Sequence, residues 1–139
     1  MELSISWPAV AVASMVGMAI AWIWYSDWGL VGGTWRKLTG VTKEDSARVG
    51  KRPFVVLVAS IVVTAPALAA ACSIASGFFG SDSVGLAFAV GFVAWLGFSL
   101  STLAQHNGFE QKPVGLTVIN SAYQLVLFLG MSFAVGLFQ

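Results

Sequence analysis

Four long apolar runs, residues 7–26, 54–76, 84–105 and 114–138, alternate with short polar interruptions along the chain. A helix needs roughly 20 apolar residues to cross a hydrocarbon core of about 30 Å. None of the four runs carries Lys, Arg, Asp or Glu in its interior. Hydrocarbon offers the backbone no water, and no stretch alternates with the period of two of a barrel strand, so each run predicts a transmembrane helix. The prolines fit this partition. Pro8 lies in the first turn of span one, and Pro53 and Pro113 open spans two and four, where a missing N–H costs nothing. Pro66 falls mid-span and predicts a kink near Ile61 and Val62, with Thr64 placed to re-satisfy the freed backbone.

Between spans one and two, residues 27–53 form the long connection. Thr34 is expected to cap a short helix closing at Gly40, and Thr42-Lys-Glu-Asp45 has capping-box spacing that opens another up to Gly50. Trp28, Leu30, Val31, Trp35 and Leu38 would lie against lipid headgroups, with Arg36 and Lys37 toward anionic phosphates. The expected fold is therefore an all-α membrane bundle of four transmembrane helices in one domain, with short interfacial helices in the 1–2 loop.

Composition sharpens this picture. Of the 139 residues, 58% are hydrophobic and 9% charged, against about 25% charged in a soluble domain. A secreted disulfide scaffold, a disordered tail and a nucleic-acid binder are excluded on these numbers. Lone Cys72 lies inside span two and has no intrachain partner. The acidic start, Met-Glu-Leu-Ser, is not that of a secretory signal. The cations give an orientation. Arg36, Lys37, Lys43, Arg48, Lys51 and Arg52 fall in the 1–2 connection and Lys112 in the 3–4 connection. Four spans put both connections on one side, and cytoplasmic loops are the positive ones. Both termini are expected outside the cytoplasm, in a bacterial inner (cytoplasmic) membrane. Trp7, Phe78 and Phe79 suit the outer interface, and Trp22, Trp24, Tyr25 and Trp28 the inner one.

Candidate chemistry concentrates in the last two spans, expected to form a hairpin around the polar connection His106–Pro113. On span three, Trp95, Ser99, Thr102 and His106 recur at helical spacing; on span four, Thr117, Asn120 and Gln124 do so, with Tyr123 beside them. Residues at equal depth in a hairpin have numbers of nearly constant sum, which pairs Thr102 with Thr117, Ser99 with Asn120 and Trp95 with Gln124. Two polar stripes at matching depth are readable as structural glue, with direct contacts and no cavity, or as a polar pocket open to the cytoplasm.

Trp24-Tyr25-Ser26, then Gly33-Thr-Trp-Arg-Lys-Leu-Thr-Gly40 running on to Glu44-Asp45, resemble segments of a bacterial and fungal family catalogued as domain of unknown function 1761. Trp95-Leu-Gly-Phe98 and Ile119-Asn-Ser-Ala-Tyr-Gln-Leu125 resemble its carboxyl-terminal half. Asp27 departs from this pattern, standing where many relatives carry Pro, and Ala122 stands where the family often has Gly. The resemblance implies a small multispanning membrane protein and supplies no reaction.

Other chemistries find little support. Gly32-Gly33 lacks the Walker pattern, one His cannot supply two axial ligands to haem, and no closed set of zinc ligands exists. His106 and Glu110 have the spacing of two ligands, but the Gly108 between them suggests a turn, with His106 hydrogen-bonded to Glu110 or Asn107. Spans without ionisable groups argue against an intramembrane enzyme or proton pump, so neither catalysis nor a cofactor is expected. Small residues at every fourth position (Ala9, Ala13, Gly17 and Ala21; Ala67, Ala71 and Ala75) suggest a homo-oligomer. The expected function is binding or translocation of a small polar or amphipathic molecule in a pocket of Trp95, Ser99, Thr102, His106, Asn120, Tyr123 and Gln124. A non-catalytic scaffold or accessory subunit, whose basic loop contacts a partner or anionic lipid, is the alternative.

Overall fold

Local capping chemistry sets the helix starts. Ser6 and Ser83 accept the backbone N–H groups of Ala9 and Leu86, and Thr42 with Asp45 completes both bonds of the expected capping box. Gly40 and Gly80, left-handed at φ 73° and 64°, end two helices. A computed structural model describes residues 2–139. Its helices are α1 Trp7–Tyr25, α2 Gly32–Thr39, α3 Lys43–Val49 and α4 Arg52–Phe79, followed by α5 Val84–Phe109 and α6 Val114–Phe138. Helices α1, α4, α5 and α6 are each long and apolar enough to cross a membrane, and no strand occurs among the described residues. The protein is an all-α, four-span bundle of the integral-membrane type.

Several local expectations need correction. Helix α2 begins at Gly32 without a side-chain cap, so Thr34 lies inside it; the Trp35 N–H bonds the Val31 carbonyl at 2.8 Å. Span three continues through Gly108 to Phe109, which makes His106 and Gly108 helical and shortens the final connection. Gln111, at φ 57°, makes the turn, and the Lys112 N–H reaches the Asn107 carbonyl at 2.9 Å. Helix α4 runs unbroken through Pro66, but the Thr64 hydroxyl donates to the Ser60 carbonyl at 2.7 Å rather than to Val62, which loses its donor to proline. A turn of π-helix, Trp95–Leu100, interrupts α5. The hydroxyls of Ser101 and Thr102 donate to the Gly97 and Phe98 carbonyls at 2.6 Å each, supplying donors where the widened turn disturbs the ladder.

The two ends of the bundle differ in charge. Ser6 donates to the Phe138 carbonyl, the Ser4 N–H to Ser73, and the Gln139 amide to the Asp82 carbonyl. These bonds gather the amino-terminal segment, the 80–83 connection and the carboxyl terminus at one end. The connections holding all seven Lys and Arg lie at the other.

Small residues set the packing. Ala9, Ala13, Gly17 and Ala21 form one buried face of α1 within a core that includes Ile61, Leu68 and Cys72 of α4 and Leu127, Met131 and Val135 of α6. Of the two stripes that suggested self-association, the α1 stripe is thus used inside one chain, whereas Ala67 of the α4 stripe is exposed. Helix α5 meets α6 at Gly91, where an added Cβ would overlap the Ser132 hydroxyl and come within 2.9 Å of the Phe128 carbonyl. No comparable contact surrounds Gly97 on the same span. Gly91→Ala is therefore expected to cost about 1–3 kcal/mol through overpacking against backbone, and Gly97→Ala almost nothing. Reversible unfolding of both variants in mixed micelles checks the difference.

Candidate functional site

The π-helical turn carries the polar residues of span three to the edge of a groove. Phe98, Ser99, Thr102 and Leu103 of α5 and Gln124 and Phe128 of α6 line a recess of about 290 Å³. A second recess of about 350 Å³ shares Phe98 and Phe128 with the first, and runs between α4 and α5 over Val63, Ala67 and Ala71. A third, of about 410 Å³, shares Ala71, Ala94 and Phe98 with the second and continues toward Phe79. Adjoining through these shared walls, they make a trough that runs from a polar end between α5 and α6, at Ser99, Thr102 and Gln124, onto the α4–α5 seam, which is apolar apart from Thr64. That end lies about 15 Å along α6 from Val114 at 1.5 Å per residue, near the middle of that helix. The Thr102 hydroxyl is engaged by the Phe98 carbonyl. Among the described residues, no hydrogen bond joins Ser99 or Gln124 to another side chain.

The other expected pocket residues face elsewhere. Trp95 donates its indole N–H to the Ser121 carbonyl at 2.9 Å, not to Gln124, and lines a separate groove with Thr117 and Ser121. Thr117 accepts from the Asn107 amide at 3.0 Å instead of facing Thr102. His106 is exposed near the end of α5. Asn120 accepts the Tyr25 hydroxyl at 2.5 Å, so its partner is α1 and not Ser99. Tyr123, 5% exposed, packs edge-on to Tyr25 with centroids 4.8 Å apart and lies 6.4 Å from the Trp24 ring. The Trp24 indole N–H and the Tyr123 hydroxyl are buried without a partner in the protein. Polar residues that share one stripe in sequence thus divide between the trough and a buried aromatic–amide cluster.

The loop above that cluster is built around Arg36. Trp35 contacts Tyr25 edge-on, at 6.1 Å between centroids. Arg36 donates to Asp27 at 2.7 Å, to Ser46 at 2.9 Å and to the Val41 carbonyl at 3.3 Å, so one guanidinium ties the end of α1 to α2 and α3. Its side-chain hydrogen bond to Asp27 holds that carboxyl below its usual range. Asp45 is held low as well, first by the Thr42 backbone N–H and then by the Thr42 side chain and Arg48. Arg36 therefore faces inward, while Lys37 and Trp28, the latter 93% exposed, point away. At the end of α1, the N–H groups of Gly29, Leu30 and Val31 bond the carbonyls of Ser26, Ile23 and Trp24. An added Cβ at Gly29 or Gly32 would strike those α1 carbonyls, so only glycine fits this wrap.

The sequence model of the family described as Protein of unknown function (DUF1761) matches residues 8–136, nearly the whole chain. The chain belongs to the DUF1761 family. No curated protein and no solved structure matches it. Family membership gives the geometry a second meaning. Three of the stretches that resemble the DUF1761 pattern, around Tyr25, Trp35 and Asn120 to Tyr123, meet in the aromatic–amide cluster, and the fourth, Trp95 to Phe98, opens the π-helical turn. Phe98, a wall of all three recesses, and Phe128, a wall of two, carried no chemical signal in the sequence beyond Phe98 closing the Trp-x-Gly-Phe segment. The π-helical turn had no local signal at all.

Asn120→Leu is expected to cost about 1–3 kcal/mol by stranding the Tyr25 hydroxyl. Adding Tyr25→Phe should recover part of that loss. A double-mutant cycle measured by micellar unfolding reads the coupling, and strictly additive effects would contradict it.

Proposed function

We propose that this DUF1761 protein binds a small amphipathic molecule from the lipid phase, with its chain along the α4–α5 trough and its polar head at Ser99 and Gln124. The observation that carries this reading is the run of three recesses with shared walls, its polar groups gathered at one end apart from the Thr64 hydroxyl, which is spent on the Ser60 carbonyl. Of the four residues whose direct contacts structural glue would need, Trp95 bonds the Ser121 carbonyl and Asn120 accepts from Tyr25, and among the described residues Ser99 and Gln124 bond no side chain. The disturbed helix at Trp95–Leu100 supports it further, since π-helical turns recur at functional sites. No ionisable side chain lines the trough, and an ion near mid-bilayer costs several kcal/mol, about 2.5–3.5 on insertion scales. The head is therefore uncharged and able to exchange hydrogen bonds with a hydroxyl and an amide.

A diazirine-tagged hexadecanol, photolysed with the protein in nanodiscs, should label α5 around Phe98 and α6 around Gln124. The Ser99→Val/Gln124→Leu double variant should lower that labelling about tenfold, the equivalent of one to two hydrogen bonds. Even labelling around the bundle, or equal labelling by the ionised fatty acid of the same length, contradicts the reading.

In the same proposal, the basic end faces the cytoplasm of a bacterial inner membrane, with α2 and α3 at the interface near anionic headgroups. The support is the placement of all seven Lys and Arg at one end. A reporter fused after Gln139 should behave as non-cytoplasmic; cytoplasmic activity would invert the orientation.

A further inference from the structure

We propose that the cavity beneath α2 and α3 is a second binding site, for a lipid with a phosphate-monoester head. This cavity, about 840 Å³, lies between the loop and the start of α4, separate from the trough. Its walls are largely apolar, formed by Tyr25, Trp35, Val49 and Phe54, and its charged members are Arg36, Asp45 and Arg48.

The charges decide which head fits. Asp45 accepts the Thr42 N–H at 3.0 Å and one Arg48 nitrogen at 2.6 Å, so its carboxylate is engaged on both oxygens. Of the other acids near the loop, Asp27 is held by Arg36, and Glu44 does not line the cavity. Arg36 in turn divides its donors among Asp27, Ser46 and the Val41 carbonyl. Arg48 differs. Its side chain is 77% exposed and it gives Asp45 a single nitrogen, whereas a guanidinium carries five N–H donors in a planar fork. The unmatched capacity at the cavity is thus a donor of positive charge, and its natural complement is an oxyanion able to take two parallel N–H bonds.

The walls decide the rest of the molecule. A soluble phosphate would gain nothing from Trp35, Val49 and Phe54. Beyond Phe54 the lipid-facing side of α4 continues with Val55 and Val56, which are exposed like Phe54 itself. A chain leaving the cavity past Phe54 meets exposed apolar side chains around the first turn of α4, while its head remains level with Arg48 at the bundle end. The occupant is accordingly an amphiphile. This site is independent of the trough, shares no lining residue with it, and takes the opposite kind of head.

Native mass spectrometry of the protein from a nonionic detergent tests this with three probes: palmitoyl lysophosphatidic acid, the lysophosphatidylcholine of the same chain, and glycerol 3-phosphate. Wild-type protein should retain one lysophosphatidic acid per chain in preference to the choline lipid, and should not retain glycerol 3-phosphate. Arg48→Gln should weaken that retention about tenfold by removing a charge-assisted bidentate contact, with an unchanged melting profile, since the Thr42 cap of α3 remains. Ser99→Val/Gln124→Leu should leave it unchanged. Retention unaffected by Arg48→Gln, equal retention of the choline lipid, or equal retention of glycerol 3-phosphate would each overturn the proposal. So would a loss confined to the Ser99→Val/Gln124→Leu variant, which would move the lipid to the trough.

Discussion

Helix α6 touches α1, α4 and α5 along its length, and it approaches them closely because the contact points are glycines, alanines and serines. In hydrocarbon there is no hydrophobic gain from joining two apolar helices, so association depends on packing. A single atom pair contributes only about 0.1–0.2 kcal/mol, and many pairs must therefore come into contact at once. Gly17 lets Ile61, Leu127 and Met131 close over α1, and Gly136 lets Ala87 and Val84 close over α6. A side chain at such points would hold the helices apart along whole turns.

That closeness sorts the polar groups of α6. Surrounded on several sides, the helix cannot present one stripe to one cavity, so each residue meets the neighbour that its own angle selects. Thr117 meets Asn107 on α5, Asn120 meets Tyr25 on α1, and Gln124 opens on the trough. The π-helical turn has a related effect on α5, where Trp95 reaches Ser121 while Ser99 lines the trough on another side.

The four spans, the capping box at Thr42 and the stop at Gly40 were legible because each rests on local chemistry: uninterrupted hydrophobicity, a side chain three residues from its partner, a left-handed glycine. The hairpin pairing was not. It assumed two regular helices meeting symmetrically about a turn, and both assumptions fail. The helix persists through Gly108, and the bundle gives α6 a second and third partner that a two-helix argument omits. The composition of the stripes identified residues that do lie at polar positions, yet Asn120 and Tyr123 belong to a contact with α1 that depends on residues about a hundred positions away. Arg36 illustrates the same limit. Its place in a basic loop suggested lipid phosphates, but Ser46 and Val41 come within reach only after α2 and α3 fold back.

Charge along the bundle axis now has a physical consequence. Midway along the bundle the trough offers hydroxyl and amide groups with no ion, whereas at the basic end the one carboxylate that lines the loop cavity, Asp45, is matched and a guanidinium is left with donors to give. The cost of burying an ion falls steeply from the hydrocarbon centre toward the interface. Under the two proposals, ionic recognition belongs to the basic end, where Arg48 stands, and neutral hydrogen bonding to the level of Gln124. The charge scarcity visible in the sequence thus becomes a division by depth, with the polarity of any bound head fixed by how far along the bundle it sits.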